Sequence, residues 1–406
     1  MLLVEQHILK GQLAKEADLL CFKSKNLYNL ALYHIRQHYL LTEKYQTMPE
    51  LDKILQNAAD YKALPAKVAQ QVLLQLHRNF TSFFHAVQAY KLHPRDFLGR
   101  PKLPGYKDKQ KGRNVVIYTS QAVSKRLLSK LHIAQLSKSN ISLSTLKENI
   151  KQIRLVPLLS GGYVAEIVYE QEPKPVATLD KSKHLSIDLG LNNLVAMTSD
   201  QTGFQPLLVS GGTGKAINQW YNKKKAEMQS KLTNNQKTGK AISKLTTKRN
   251  RKLKHLFHQI SKFVVATAVQ WNIGTIVIGY NKDWKTKINI GSKNNQAFVG
   301  IPFQMLVDQV TYKAQLVGIQ VVLQEESYTS KCSALDYESV EKHEEYLGKR
   351  VKRGLFRSAS GKLVNADING SCNILRKQLK TKGFQKAKAD WIEAIVVAPK
   401  RRVFVA

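Results

Sequence analysis

Two aspartates carry the first chemical signal in this 406-residue chain. Asp188 ends the apolar run Leu185-Ser186-Ile187 and is followed by Leu189-Gly190. An ionised carboxylate in such a place costs free energy unless a cation or a partner satisfies it. Asp367 lies far downstream in Asn365-Ala366-Asp367-Ile368-Asn369-Gly370, where it opens a helix. Each has an ordinary alternative: a strand-end Asp caps turns, and a helix-start Asp caps helices. Alone, neither singles out a reaction. Two other patterns dissolve on inspection. Gly211-Gly212-Thr213-Gly214-Lys215-Ala216 looks like a phosphate loop, but that motif needs Gly five positions before Gly214 and Ser or Thr after Lys215; Val209 and Ala216 hold those places. His255 and His258 have HxxH spacing, yet they sit in a basic helix with no carboxylate nearby, which favours surface or core histidines.

Charge narrows the partner. The chain has 64 Lys and Arg against 29 Asp and Glu, a formal net charge of +35, while 43% hydrophobic residues supply a real core. Such an excess repels itself in the folded state and signals a polyanion, above all nucleic acid. No apolar run of 18 residues exists to cross a membrane. The apolar start Met1 to Val4 is broken at once by Glu5, Gln6 and His7, which predicts no secretion signal. Cys21, Cys332 and Cys372 lie far apart and form no CxxC pair, so a reducing, cytoplasmic setting is expected.

The elements that must position the aspartates can be read in order. Leu13, Ala17, Leu20, Tyr28, Leu32 and Ile35 recur near every 3.6 residues, predicting a helix from about Leu13 to Tyr39. Leu64-Pro65 announces a second helix. Its stripe of Val68, Val72, Leu76, Phe80, Phe83, Phe84 and Val87 is explained by packing between the two. Prolines and glycines in Gly99-Arg100-Pro101-Lys102-Leu103-Pro104-Gly105 fix an extended turn. Short β runs follow at 115–118, 153–156 and 163–169, with Gly161-Gly162 as a turn. Residues 173–180 read as a linker. Beyond it come β runs at 185–190, 194–197 and 206–209, then the basic, mostly helical stretch Asn222 to Lys262 with 13 Lys or Arg and one acid, Glu227. An apolar helix to Trp271, a β run at 274–279, a helix over 302–316 and a strand over 319–326 complete the order β-β-β-α-β-α-β. That order argues an α/β sheet with a mixed first half.

Taken together, the motifs resemble one family. Ser186-Ile187-Asp188-Leu189-Gly190 is similar to the first RuvC motif of TnpB proteins and the related type V CRISPR effectors. Ala366-Asp367-Ile368-Asn369-Gly370 with Asn373-Ile374 is similar to their third. Residues 19–29, the Gly99–Pro104 turn and Tyr328-Thr329-Ser330-Lys331 also resemble that family. The resemblance implies an α/β fold: an RNase H-like RuvC domain plus an N-terminal β-barrel-like domain with an inserted helical bundle. It divides the chain into a β-barrel-like (wedge-like) domain over 1–12 and 106–178, a helical recognition insert over 13–105, and a nuclease domain over 180–332 and 361–380. A target-nucleic-acid-binding insert over 333–360 and a C-terminal tail over 381–406, either docked through Trp391 and Ile392 or mobile, complete it. It further implies RNA-guided cutting of double-stranded target DNA beside a short flanking motif. Three acids would hold two Mg²⁺, a hard cation that takes oxygen ligands. Arg100, Lys102, Lys248, Arg249, Arg251 and Lys252 are the expected nucleic-acid contacts, in a cytoplasmic, nucleoid-associated prokaryotic protein of open oligomeric state.

Two departures matter. The family's second motif ends its strand in Glu, whereas here Ile276-Val277-Ile278 runs into Gly279. Either the nuclease is dead, leaving a guided DNA-binding repressor, or the acid has moved. Movement is favoured. The strand after Gly279's would end in Glu325-Glu326, neighbouring strands stand about 4.8 Å apart, and a residue without a side chain leaves open the space a Glu must cross. Glu326 is the expected third acid, with Glu325 next. A strand-transferring transposase and a basic RNA-binding structural protein are weaker readings. The second departure concerns zinc. Of the family's two CxxC pairs only Cys332 remains; Leu335, Arg357 and Ser360 hold partner positions, and His343 is a lone extra candidate. A structural site needs four ligands, so no zinc is expected. The patch Lys349-Arg350-Val351-Lys352-Arg353 would contact phosphates.

Overall fold

Alternating side chains open the chain: β1 (Leu2–Leu9) exposes every second residue until Leu9 enters the core. It pairs antiparallel along its whole length with β6, from Leu2↔Glu170 to Leu9↔Tyr163. Between them lie α1 (Gly11–Thr42), α2 (Met48–Leu55), α3 (Ala59–Lys62), α4 (Ala66–Leu92), β2 (Val116–Thr119), α5 (Lys125–Leu131), β3 (Ile133–Gln135), β4 (Ser142–Ser144) and β5 (Ile150–Pro157), before β6 itself (Tyr163–Glu170). The computed structural model describes residues 1–42, 44–233, 236–281, 299–352, 354–381, 390–396 and 398–405. They form two compact units, Met1–Gln171 and Glu172–Ala406.

In the first unit the sheet order is β1-β6-β5-β2, with β3 and β4 paired separately. Among the described residues these ladders do not close into a ring, so the expected barrel is here an open four-stranded sheet beside a hairpin. The helices bury Leu20, Leu27, Leu32 and Ile35 of α1 with Val68, Val72, Leu76 and Phe80 of α4. The aromatic stripe is thus core up to Phe80 and only partly buried beyond it. The proline-rich turn ends as a strap on α1. Asn29 holds both the N–H and the carbonyl of Lys107, Arg36 donates to the Pro104 carbonyl at 2.6 Å, and its guanidinium lies over Tyr106.

The second unit contains β7 (Asp180–Asp188), β8 (Asn193–Ser199), β9 (Leu207–Ser210), α6 (Gly212–Gln229), α7 (Lys240–Gln270), β10 (Ile273–Gly279), α8 (Phe303–Leu316) and β11 (Gln320–Gln324). Then follow β12 (Lys349–Lys352), β13 (Leu355–Arg357), β14 (Leu363–Asn365), α9 (Ala366–Thr381), α10 (Asp390–Glu393) and β15 (Lys400–Arg402). The main sheet runs β11-β10-β7-β8-β9-β15. Strands β7, β8 and β9 are antiparallel neighbours, while β10 lies parallel to β7 and β11 parallel to β10. Side chains alternate across it. Leu185, Ile187 and Leu189 share a core with Leu253, Phe257 and Ile260 of α7 and with Leu306 and Val310 of α8. Ala196, Leu208 and Val277 share the other core with Ile368, Cys372 and Leu375 of α9. Ser186 and Asp188 therefore face α9.

Three boundaries differ from expectation. The proposed linker is tied down within the second unit, where the Lys174 and Val176 N–H groups donate to the carbonyls of Leu316 and Val317. The basic and apolar helical stretches belong to the pair α6 and α7, the latter 31 residues without a break. The C-terminal segment is no loose tail: Lys400–Arg402 pairs parallel with Leu207–Val209, and Ile392 and Ile395 are buried. Residues 382–389 of the expected tail, and the side chain of Trp391, lie outside the described residues.

Candidate active site

Strand register brings Asp188 and Gly279 together. Ile187 pairs with Ile278, so the residues that follow are neighbours, on the face that looks at α9. Buried hydroxyls fix the helix against that face. Ser186 Oγ lies 2.9 Å from Ser371 Oγ and 2.7 Å from Thr198 Oγ1, and donates to the Ser371 carbonyl at 2.8 Å. Ser186 stands two residues before Asp188 on its strand, and Ser371 four after Asp367 on its helix. These are the same-face spacings of a strand and a helix. One hydroxyl cluster therefore sets two carboxylates facing each other. Asp367 is relieved of capping, because Asn365 Oδ1 accepts the N–H groups of Asp367 and Ile368 at 3.0 and 3.2 Å. Asn193 Nδ2 donates to Asp367 Oδ2 at 2.7 Å. Gly370 is required for the approach: a Cβ there would stand 2.7 Å from Asp188 Oδ2.

Strand β11 stops at Gln324, two residues short of the expected end. Its last ladder bond goes from the Tyr280 N–H to the Gln324 carbonyl. The Glu326 N–H then turns to a side chain, Asn281 Oδ1, at 3.0 Å. The two glutamates part there. Glu325 is exposed; it ion-pairs with Lys377 and accepts the Ser327 N–H at 2.7 Å. Glu326 turns inward over Gly279, where an added Cβ would meet Glu326 Oε1, Ile374 Cδ1 and, at 2.9 Å, Glu326 Cγ. Glu326 thus occupies the volume that a side chain at 279 would need. Its Oε1 is buried and has no hydrogen-bond partner among the described residues.

The loop carrying Glu326 is clamped to α9 by two asparagines that the sequence reading quoted only as part of a motif. Asn369 Nδ2 donates to the Cys332 carbonyl at 2.9 Å, and its Oδ1 accepts the Ala334 N–H at 3.0 Å. Asn373 Nδ2 donates to the carbonyls of Thr329 and Cys332 at 2.9 and 2.7 Å. Asn369, Gly370, Ser371 and Asn373 were missed as site residues. The signal that could have found them is a helix whose buried positions are hydroxyls and amides rather than apolar residues.

The electrostatics follow from this crowding. Burial, then the charges of Glu326 and Asp367, push the Asp188 carboxyl well above the usual carboxylate range, against the opposing pull of Arg350. Burial, then Glu325, pushes Glu326 up to about 7. A half-buried acid raised by two neighbouring acids, as Asp188 is, sits in the environment a multivalent cation relieves. No three described His, Cys, Asp or Glu side chains stand close enough together to form a finished metal cage. The donor set is nevertheless all carboxylate oxygen, and one of those oxygens is buried without a partner among the described residues, so the residues fit Mg²⁺.

Arg100 and Lys102 are exposed in the first unit. On α7, Lys248 and Arg251 are exposed, Lys252 is half-buried, and Lys248 lies over the Trp220 ring. Arg249 is turned inward: its guanidinium donates to Asn218 Oδ1 at 2.8 Å, to Asn250 Oδ1 at 3.0 Å and to the Gly300 carbonyl. Three of its five N–H donors are committed within the unit. His258 is half-buried, and burial with nearby lysines lowers it to about 4, leaving it neutral. Lys349 and Arg350 are exposed on β12; Arg353 lies outside the described residues.

The insert's strands form a sheet in the order β12-β13-β14. Cys332 is buried, and its thiol hydrogen-bonds the Glu341 carbonyl. Buried Glu338 accepts the N–H groups of Ser333 and Leu347 at 2.6 and 2.9 Å, and Asp336 accepts that of Ala359 at 2.7 Å. These carboxylates join the segments around Cys332 and Ser360 by hydrogen bonds.

Comparison with known proteins gives concordant results. Residues 166–285 match the OrfB_IS605 family, described as "Probable transposase", and residues 303–374 match the Cas12f1-like TNB domain. A TnpB-like protein, ORF457 of Acidianus two-tailed virus, is 26% identical over 220 residues, 51% of this chain. The match spans only 44% of that relative's length. Among solved structures, the protein of a Cas12f1–sgRNA–target DNA complex superposes with a TM-score of 0.52 at 14% identity, over 90% of this chain and 83% of that one. This likeness concerns the fold. Among the described residues, no helix is long and apolar enough to cross a membrane. Two family models in consecutive order along the chain and a TnpB-like relative make this chain similar to TnpB proteins, with a mixed α/β fold shared with Cas12f1.

Proposed function

We propose that this protein is an RNA-guided, Mg²⁺-dependent DNA endonuclease of a transposable element, cutting target DNA next to a short flanking motif. One observation carries the reading: Glu326, from beyond β11, fills the space over Gly279 beside Asp188 and buries an oxygen that no described residue satisfies. A dead site would have no reason to keep Glu326 and Asp367 where the charge of each raises the Asp188 carboxyl. The strand order around Asp188, with three antiparallel strands followed by two parallel ones, supports the RNase H-like assignment.

Asp188, Glu326 and Asp367 would hold the metal. When bound, Mg²⁺ supplies charge stabilisation and lowers the pKa of bound water. The chain's own contributions are positional. The Ser186–Thr198–Ser371 cluster holds Asp188 opposite Asp367, Asn193 orients Asp367, and Asn369 with Asn373 fixes the loop that delivers Glu326. Lys248, Arg251 and Lys252 on α7 would track the phosphates of the guide–target duplex, since such proteins read duplex shape while base pairing reads sequence. Arg100 and Lys102 would contribute phosphate contacts from the first unit. The setting implied is the prokaryotic cytoplasm, at the nucleoid.

The test is cleavage by the protein purified with its native flanking RNA, given matching DNA and Mg²⁺. Cutting is expected, and Asp188→Asn and Glu326→Gln should each abolish it while guided binding survives. Tight guided binding with no cutting by the wild type would favour the repressor, a reading that rests on Gly279 standing where the family has Glu.

A further inference from the structure

An unbroken β11 could not bring Glu326 over Gly279. The parallel ladder sets Gly279 against Gln324, so two further regular residues would set Glu326 against Asn281. At a rise of ~3.3 Å per residue and a strand spacing of ~4.8 Å, its Cα would then lie about 8 Å from that of Gly279. A Cγ stands two bonds from its Cα, yet Glu326 Cγ lies 2.9 Å from where a Cβ on residue 279 would be. The chain therefore doubles back after Gln324. Three hydrogen bonds outside the ladder hold it there. Asn281 Oδ1 accepts the Glu326 N–H at 3.0 Å. The Glu326 carbonyl accepts the Thr329 N–H at 3.1 Å and the Thr329 hydroxyl at 2.8 Å.

The Asn281 amide also faces the Glu326 carboxylate. Because its oxygen takes the N–H, its orientation is fixed, and Nδ2 lies 3.5 Å from Glu326 Oε2. Aspartate in that place would offer no donor, and serine no second arm. With Oε2 beside the amide, Oε1 is the oxygen left buried without a partner among the described residues. We propose that Asn281 is a positioning residue of the carboxylate site: it takes the end of β11 out of the ladder and selects which Glu326 oxygen is free beside Asp188. The use of that oxygen as a metal donor rests on the nuclease reading. Asn281 acts through Glu326 alone, so its loss has no effect where Glu326 has already lost its charge.

The test uses Mn²⁺ alone, a cation that takes the same oxygen ligands as Mg²⁺. It is titrated into full-length protein without RNA or DNA and followed by the spin resonance of the free ion. Glu326→Gln should weaken binding. Asn281→Ala should weaken it about tenfold, a usual cost of losing a group that orients a ligand, and by less than twofold when Glu326→Gln is already present. Asn281→Ser, polar but too short to make both contacts, should give the same pattern and serves if the alanine variant does not fold, which circular dichroism reports. An Asn281→Ala protein that binds like wild type overturns the proposal. So does an equal loss in both backgrounds, which would mark a merely structural residue. If wild type and Glu326→Gln bind alike, the metal role of Glu326 is struck and Asn281 with it, so the Glu326→Gln protein tells the two failures apart.

Discussion

Gly279 and Glu326 compete for the same space, and that competition can be tested one side chain at a time. Gly279→Ala puts a methyl group against Glu326 Cγ and Ile374. It should destabilise the fold by about 1–3 kcal/mol and lower cleavage at least tenfold, read by thermal melts and single-turnover cutting. Glu325→Gln should leave cutting within about twofold of wild type, because Glu325 is exposed and occupied by Lys377, and a surface pair of that kind contributes little. Glu326 also carries a stability signature. Its carboxyl is raised from 4.5 to about 7 by burial and by Glu325. An acid raised in the folded state stabilises fully only below its unfolded value, and that contribution is lost as pH rises through about 7. In metal-free protein, Glu326→Gln should therefore melt a few degrees above wild type at pH 8 and equal to it at pH 4. A lower melting point at pH 8 would contradict the buried placement of this carboxyl.

At the scale of elements, α9 is the organiser. Its hydroxyl and amide side chains hold β7 on one side and the Thr329–Ala334 loop on the other. Asn373→Ala leaves the Thr329 carbonyl without its side-chain donor and the Cys332 carbonyl with only that of Asn369, and should cost about 1–3 kcal/mol, with cleavage falling more steeply than DNA binding. Equal losses of both would argue that the loop does not position Glu326. Much of this scale was legible in advance. The long helices and the core strands announce themselves by period, and Asp188 and Asp367 by their motifs. What could not be read was the end of β11. Apolar alternation continues toward Glu325, yet the ladder stops where Asn281 offers a side chain in place of a backbone carbonyl, and no local pattern encodes that substitution. Short elements such as α5, β3 and β4 carry too few residues to show a period. The pairing of Lys400–Arg402 was hidden because three basic residues look like a solvated tail.

At the scale of the molecule, charge dominates. A net +35 spread over both units makes DNA affinity largely a matter of counterion release. Between 50 and 200 mM salt, non-specific binding should fall by about 10³ or more; a shallow slope in a binding titration would mean that the lysines of α7 do not face DNA. Composition and charge were enough to expect a polyanionic partner. The open sheet of the first unit was not foreseen, because alternation marks the strands without saying whether the outer two meet.

The volume shared by positions 279 and 326 has an evolutionary consequence. A chain with glutamate at both positions is crowded, and a chain with neither lacks an acid. Exchange between them must cross one of these two intermediates, each less fit than either end. Once the exchange is complete, no single substitution reverses it. Descendants of this arrangement should inherit the glycine and the displaced acid as a linked pair, and a search that scores only the usual column would count all of them as inactive.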